Sequence, residues 1–414
     1  MSQTIKHCRS CGSDSLQRFL DLGSQPLANS LHGEKDVAPK AHELCLCQCT
    51  ECGLVQLTID VTAGDMFSDY LWVTGTSQTA RSYAKEICNE ILLYAKANPI
   101  GDKVFEVASN DGTFLQPFKD KGFKVIGVDP ARNLAELANK KGIPTISRFF
   151  SSQVAREIVK EFGRSKVVIC RNVLAHIPDI SDFLKGLEEV LTPDGVLLIE
   201  VHYAGSILEG LQYDSIYHEH ASYISLSSIW PRLRELGLEV FHTTLGPISG
   251  GSLTLYIKKN NNKEITIKPS VKTFQQKEIA TGISSLETWT DFSTNVKNHS
   301  KEFVDILRDR KSRGKKICGF GASARSSTLL NYANIDRSII KMIADSNPNK
   351  HGRVTAGSQI PVVPPMEMFD TKPDVIVILA WNFQKELVSI IRKSGFEGEL
   401  LVPLPGKPKF ITKK

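Results

Sequence analysis

Eleven residues near the middle of the chain concentrate groups that move protons. The segment YDSIYHEHASY holds Tyr213, Tyr217, His218, Glu219, His220 and Tyr223. A histidine near its free pKa of about 6.5 can take a proton at neutral pH. A tyrosine and a second histidine can hydrogen-bond a developing oxyanion. Glu219 can orient an imidazole or hold a substrate hydroxyl. Two histidines, a carboxylate and three tyrosines this close are hard to explain as core packing; a polar surface loop is the plainer alternative. The segment RNVLAHIPD adds Asn172 and His176 after an apolar run. His242, His299 and His351 stand singly and read as ordinary structural histidines.

The cysteines suggest a different chemistry. Of nine, six lie in the first 52 residues: Cys8, Cys11, Cys45, Cys47, Cys49 and Cys52. An odd total in a long chain argues against a disulfide framework. Cys8-x2-Cys11 and Cys49-x2-Cys52 are each followed by a glycine, Gly12 and Gly53. Two such knuckles can close a tetrahedron of thiolates around a structural zinc ion. Cys45 and Cys47 are rival ligands, with packed thiols the plainer reading. Four thiolates leave no open coordination position, so the metal is assigned no catalysis.

A third pattern suits a nucleoside. VFEVASNDGTFL runs from an apolar strand carrying Glu106 into the turn Ser109-Asn110-Asp111-Gly112 and a helix. The next strand ends in Asp129, placed to accept from ribose hydroxyls. A dinucleotide fold would offer GxGxxG so that helix amides hold a pyrophosphate. Here only Gly112 of that pattern is present, and acidic and amide side chains replace the other glycines. That turn suits an uncharged or cationic nucleoside better, and S-adenosylmethionine fits. The expected cofactor set is Glu106, Asn110, Asp111, Gly112 and Asp129, with Phe150. A plain turn is the alternative.

The elements that must position these groups follow from the pattern of the whole chain. Its 414 residues, 23% charged and 41% hydrophobic, allow two or three globular domains and exclude disorder, collagen and coiled coil. No run approaches the roughly 18 to 20 apolar residues of a membrane helix. The N-terminus has no apolar signal core, so a cytoplasmic protein is expected. A net charge of +6 falls far short of a nucleic-acid footprint and suits an anionic small molecule. Strands are expected at 103–109, 123–129, 166–172 and 195–201 as a doubly wound parallel sheet, followed by 238–241 and 252–258. The glycine-bearing loop between the last two could return the final strand antiparallel. Residues 272–312 read as one or two amphipathic helices that include Ile279 and Ile283 on the apolar face. KKICGFGAS, IIKMIADSNP and PDVIVILAWN open a second α/β unit. The expected division is a cysteine-rich unit at 1–70, an α/β unit at 71–260, a helical connector at 261–313 and a second α/β unit at 314–414.

Taken together, CRSCGS with CTECGLVQL, DYLWVTGTS, VFEVASNDGTFL, RNVLAHIPD, YDSIYHEHASYIS, GFGASARSSTLLNY, DSNPNKHG, GSQIPVVPP and LAWNF carry a resemblance over nearly the full length. The chain resembles the zinc-containing, S-adenosylmethionine-dependent C-methyltransferases of deoxysugar nucleotide biosynthesis. The resemblance implies that 1–70 is a zinc-binding domain, 71–260 a class I methyltransferase Rossmann-like domain and 314–414 a C-terminal Rossmann-like domain. The resemblance implies that His220 is the base that deprotonates the sugar carbon beside a ketone. It implies that Tyr217, Glu219, His176 and Asn172 line the sugar pocket, and that Tyr70 corresponds to a pocket tyrosine. A nucleotide diphosphate would be met by the C-terminal glycine turn, with Ser323 and Arg325 near phosphate and Asn331 or Trp381 near base or ribose. Two positions depart from the family: Ala108 stands where a glycine is usual, and Ser249 where a histidine is.

Three other readings are available. An O- or N-methyltransferase would keep the cofactor and need no ketone. A dehydrogenase would use Gly319 and Gly321, but the nearest acidic residue, Asp345, lies 24 residues after Gly321. A zinc adaptor for nucleic acid lacks basic residues interleaved with aromatics. No nucleic-acid polymer and no membrane are expected as partners; a nucleotide sugar is.

Overall fold

The computed structural model describes residues 2–61, 73–246 and 250–411. At its centre is a seven-stranded sheet in the spatial order Leu238–Gly246, Ser252–Lys259, Leu191–His202, Ser165–Arg171, Lys103–Val107, Lys124–Val128 and Thr145–Ile146. The 252–259 strand is antiparallel to both neighbours, as its glycine-bearing approach allows. All other pairs are parallel. The uninterrupted apolar runs reflect burial on both faces. In the 165–171 strand, Val168 and Cys170 join the core under helices Ser152–Phe162 and Ile180–Val190. Val167 and Ile169 join the opposite core, beneath helix Gln78–Ala95. The two-residue strand at 145–146 is too short to show in a periodicity.

The N-terminal unit is a four-stranded antiparallel sheet ordered Ser222–Tyr223, Val55–Leu57, Ala41–Cys49 and Leu16–Pro26. Its edge strand 222–223 comes directly after the proton-handling segment, so that segment is sewn into the cysteine-bearing sheet. The C-terminal unit is a six-stranded sheet ordered Val362–Val363, Ile343–Ala344, Ile317–Phe320, Val375–Ile378, Glu399–Val402 and Lys409–Phe410. Only its last strand is antiparallel. The 362–363, 399–402 and 409–410 strands were not expected, being two to four residues long and flanked by prolines or lysines.

Between the sheets lie helices Pro269–Thr281 and Leu286–Ser312. Gly282 closes the first in a left-handed conformation, φ 65°. This corrects the expected apolar face: Ile279 is 78% exposed, while Ile283, beyond the cap, turns into the core. Trp289, Phe292, Val296, Phe303 and Leu307 give the second helix its buried stripe. Among the described residues no helix is long and apolar enough to cross a membrane.

Candidate active site

Segment 213–220 leaves the 191–202 strand through helix Ala204–Gly210 and is gripped from every side. Tyr213 Oη lies 3.0 Å from His299 Nδ1, and His299 Nε2 donates to the Pro403 carbonyl at 2.8 Å. Trp381 Nε1 donates to Asp214 Oδ2 at 2.7 Å. Thr328 Oγ1 donates to the Ile216 carbonyl at 2.8 Å. From the N-terminal sheet, the Glu43 carbonyl accepts from His218 Nε2 at 3.1 Å. Thus His299, read from sequence as structural, is structural, and it serves to anchor the reactive segment.

These anchors fix the state of His220. Its Nδ1 is 2.8 Å from the Ser215 carbonyl, which can only accept, so Nδ1 carries the proton. Nε2 then presents its lone pair, 2.8 Å from Tyr217 Oη. The two rings lie 4.0 Å apart between centroids, and the His176 ring is 5.1 Å away. Burial pushes the His220 pKa well below its ordinary value, and the neighbouring His176, His202 and Arg325 push the same way. The imidazole is therefore neutral at pH 7, with one fixed tautomer and a basic nitrogen turned to a phenol. That is the resting state of a general base.

Glu219 is held at both ends. His176 Nδ1 donates to its backbone carbonyl at 2.6 Å, and Asn29 Nδ2 donates to its Oε1 at 2.6 Å. Burial raises the carboxyl pKa, opposed only by the Asn29 bond. Burial also lowers His176. Asn172, at the end of the 165–171 strand, has φ 52°, a left-handed conformation that asparagine tolerates better than most residues. Its amide N donates to the Glu200 carbonyl at 2.8 Å and its Nδ2 to Glu200 Oε1 at 3.3 Å. Four of the expected residues, His220, Tyr217, Glu219 and His176, are thus brought together, with Asn172 beside them on the sheet edge. Tyr70 and Ser249 lie outside the described residues.

Sequence reasoning missed Asn29, Arg171, Glu200, Tyr83 and His202. Arg171 pairs with Glu200 at 2.6 Å, Tyr83 Oη donates to Glu200 Oε2 at 2.5 Å, and the guanidinium stacks on Phe114. Charged residues inside otherwise apolar strands, R in VVICR and E in LLIEV, were the available signal. His202 ends the 191–202 strand, where Nε2 donates to Gln212 Oε1 at 3.0 Å. Burial pushes its pKa down to about 3, with Arg325 adding. Asn29 carried no local signal, because its role exists only across 190 residues of chain.

The nucleoside turn follows the 103–107 strand. Ala108, Asn110 and Gly112 have φ 55°, 52° and 78°. At Gly112 a Cβ would come within 2.6 Å of Ile143, so glycine is required for space as well as angle. Asp129 Oδ2 accepts from the Asn110 amide at 2.8 Å and Oδ1 from the Ala131 amide at 2.9 Å. Asn110 Oδ1 accepts from the Thr74 amide at 2.9 Å, which lays the 73–77 segment across the turn. Glu106 is buried, and its Oε2 has no hydrogen-bond partner. Burial raises its pKa well above the ordinary value, with Arg171 opposing. Buried acceptors at adjacent strand ends suit the hydroxyls and ammonium of S-adenosylmethionine and would repel a pyrophosphate. Asp111 is engaged elsewhere, with Lys141 Nζ at 2.5 Å and Thr113 Oγ1 at 2.6 Å. Phe150 packs on Phe105 and Phe183 in the core beneath.

In the C-terminal unit, Ser323 caps helix Ala324–Tyr332 in a reciprocal box with Ser326. Arg325 is buried, 3.8 Å from Asp214 and 5.1 Å from the Trp381 ring centre. Arg325 and Trp381 therefore meet the reactive segment. Asn331 donates to Ser327 Oγ at 3.2 Å and the Ala356 carbonyl at 3.1 Å, away from that cluster.

The four cysteines converge as expected. Sγ atoms of Cys8, Cys11, Cys49 and Cys52 all lie within 4.8 Å of one another. The Cys8–Cys52 and Cys11–Cys49 pairs are 3.6 Å apart. With Zn–S bonds of about 2.3 Å, a tetrahedron has edges of about 3.8 Å, so the cage fits zinc. Gly12 and Gly53, φ 77° and 73°, supply both knuckle turns. Cys45 and Cys47 stay outside it, buried in the 41–49 strand.

Known proteins agree with this geometry. Residues 8–67 match the family described as "Putative zinc binding domain", residues 79–243 "Methyltransferase domain", and residues 247–405 "C-methyltransferase C-terminal domain". The C-methyltransferase NovU of Streptomyces niveus is 31% identical over 412 residues, spanning 99% of this chain and 97% of that protein. The mitochondrial ubiquinone biosynthesis O-methyltransferase of Homo sapiens is 28% identical over 170 residues, 36% of this chain and 46% of its own. The O-methyltransferase thus shares only part of this chain, whereas NovU spans the cysteine cage, the nucleoside turn and the C-terminal unit together. The chain belongs to the family of zinc-containing, S-adenosylmethionine-dependent C-methyltransferases.

Proposed function

We propose that the methyl acceptor is a nucleotide-linked keto-deoxysugar, and that His220 removes the proton from the carbon beside its ketone. The observation that carries this is the fixed tautomer of His220, whose bare Nε2 is turned to Tyr217 within a pocket that keeps the imidazole neutral. Carbon becomes a nucleophile only when a base takes its proton while the oxygen charge is stabilised. Tyr217, whose hydroxyl is released from His220 Nε2 once that nitrogen is protonated, supplies a donor for that oxygen, and His176, Glu219 and Asn172 line the sugar pocket. Glu106 and Asp129 hold the cofactor, which when bound supplies an electrophilic methyl group on sulfur. The chain's remaining task is orientation, since a close and aligned pair needs no further activation. Arg325 and Trp381, packed against Asp214, tie the nucleotide-facing unit to the base-bearing segment.

The test is a panel of nucleoside-diphosphate keto-deoxysugars with methyl-labelled cofactor, read by product NMR. The expected product carries its label on the carbon beside the ketone. Label on an oxygen or nitrogen, or acceptance only of sugars without a ketone, would overturn the proposal.

A further inference from the structure

Among the described residues, those expected at the acceptor and cofactor sites come from the central and C-terminal units, yet a side chain from the N-terminal unit reaches among them. After the 16–26 strand, residues 27–32 cross from the cysteine-bearing sheet to the C-terminal unit. At the near end the segment continues a strand paired with 41–49, which carries Cys49. At the far end His32 forms an antiparallel bridge with Val354, with amide–carbonyl distances of 3.2 and 2.8 Å. Gln359 Nε2 lies 3.1 Å from His32 Nε2. Between these clamps Ala28 is buried, the Ser30 and Leu31 amides close a local turn, and Asn29 donates to Glu219 Oε1 at 2.6 Å.

We infer that Asn29 is a positioning residue for the methyl acceptor, acting through Glu219 and delivered to the site by a strap that the zinc unit and the C-terminal unit hold at either end. The inference rests on the reading of segment 213–220 as the acceptor site. A carboxylate has two oxygens, each with two lone pairs. With Oε1 fixed by an amide, Oε2 is left at a set angle to accept from a substrate hydroxyl. Glu219 is otherwise buried, and among the described residues no ion pair or second side-chain hydrogen bond fixes its carboxylate. Its backbone carbonyl is already held by His176, so the amide of Asn29 fixes the remaining freedom. Asn29 itself is exposed.

The test is a double-mutant cycle on the full chain, with methyl-labelled cofactor and a thymidine-diphosphate-linked keto-deoxyglucose as acceptor. Asn29→Ala is expected to lower kcat/KM by about ten- to a hundredfold, the scale of one hydrogen bond to a charged group. Asn29→Gln, which keeps an amide donor, is expected to recover part of that loss. In a Glu219→Gln background the same Asn29→Ala change is expected to cost less than about twofold. Zinc content and cofactor affinity are expected to stay at the wild-type level in all variants. Equal losses in both backgrounds, or an unimpaired Asn29→Ala, would overturn the inference while leaving the acceptor site intact. An unimpaired Glu219→Gln would instead overturn the acceptor-site reading. If Asn29→Ala lost its zinc, Asn29→Gln would decide alone: activity as low as that of Glu219→Gln in a zinc-loaded protein contradicts the inference.

Discussion

Two α/β units in this chain end an early strand in a glycine-bearing turn that starts a helix, and they do opposite things with it. In the C-terminal unit the turn is self-satisfied. The Ala322 amide donates to Asp345 Oδ2, Ser323 and Ser326 cap each other, and Lys350 Nζ bonds both the Ala322 carbonyl and Asp345. In the central unit the equivalent turn holds Asp129 in the same way, by the Asn110 and Ala131 amides, but keeps a buried Glu106 oxygen without a hydrogen-bond partner. A turn that leaves a buried acceptor open has a ligand to meet. The C-terminal unit contributes Trp381, Arg325 and Thr328, which brace segment 213–220.

Breaking the chemical side of this comparison has the largest effect. His220→Ala is expected to lower turnover by about 10²- to 10⁴-fold, the usual range for a general base, with cofactor affinity unchanged in a binding titration. Acid follows. Burial depresses the folded pKa of His220, His176, His202, His218 and His299 below 6.5. The unfolded chain therefore binds more protons between the folded values and about 6.5. Stability is full above that range and is lost as pH falls through it. Urea midpoints are expected to drop progressively below about pH 6.5, whereas a flat profile to pH 5 would contradict the buried neutral state. Turnover is expected to hold in the same direction, with its acidic limb below pH 6.5.

The scaffold side gives smaller and purely structural losses. Trp381→Phe removes the donor to buried Asp214 Oδ2 and is expected to cost about 1–3 kcal/mol in urea denaturation. Ser323→Ala removes a helix cap and is expected to cost about 1 kcal/mol, with KM unchanged in a steady-state assay. If Ser323→Ala raised KM strongly instead, the C-terminal turn would be a ligand site and the contrast would fail. The smallest change has the opposite sign. Ala108 sits at φ 55°, where a Cβ costs about 1 kcal/mol, so Ala108→Gly is expected to raise the melting temperature by about one degree.

Much of the molecule was legible because its signals are local. Continuous apolar runs placed six central strands within a few residues, and the two CxxC knuckles named all four ligands of the cage. Density of chemistry marked His220, Tyr217 and Glu219, since seldom do so many titratable groups adjoin without use. What stayed hidden depends on distance along the chain. Asn29 meets Glu219 only after two units dock, and Arg325 approaches Asp214, a buried carboxylate 111 positions away, to 3.8 Å. Ile279 misled because a glycine cap ends the helical period just before the residue that is buried.

The central claim is that carbon is activated by losing a proton beside a ketone. The most direct measurement uses a nucleotide-linked keto-deoxysugar deuterated on the carbons flanking the ketone, with NMR following methyl gain and deuterium loss together. The expected result is one deuterium released to water for each methyl transferred, and loss of both processes in His220→Gln. Methyl transfer with full retention of deuterium would contradict the account.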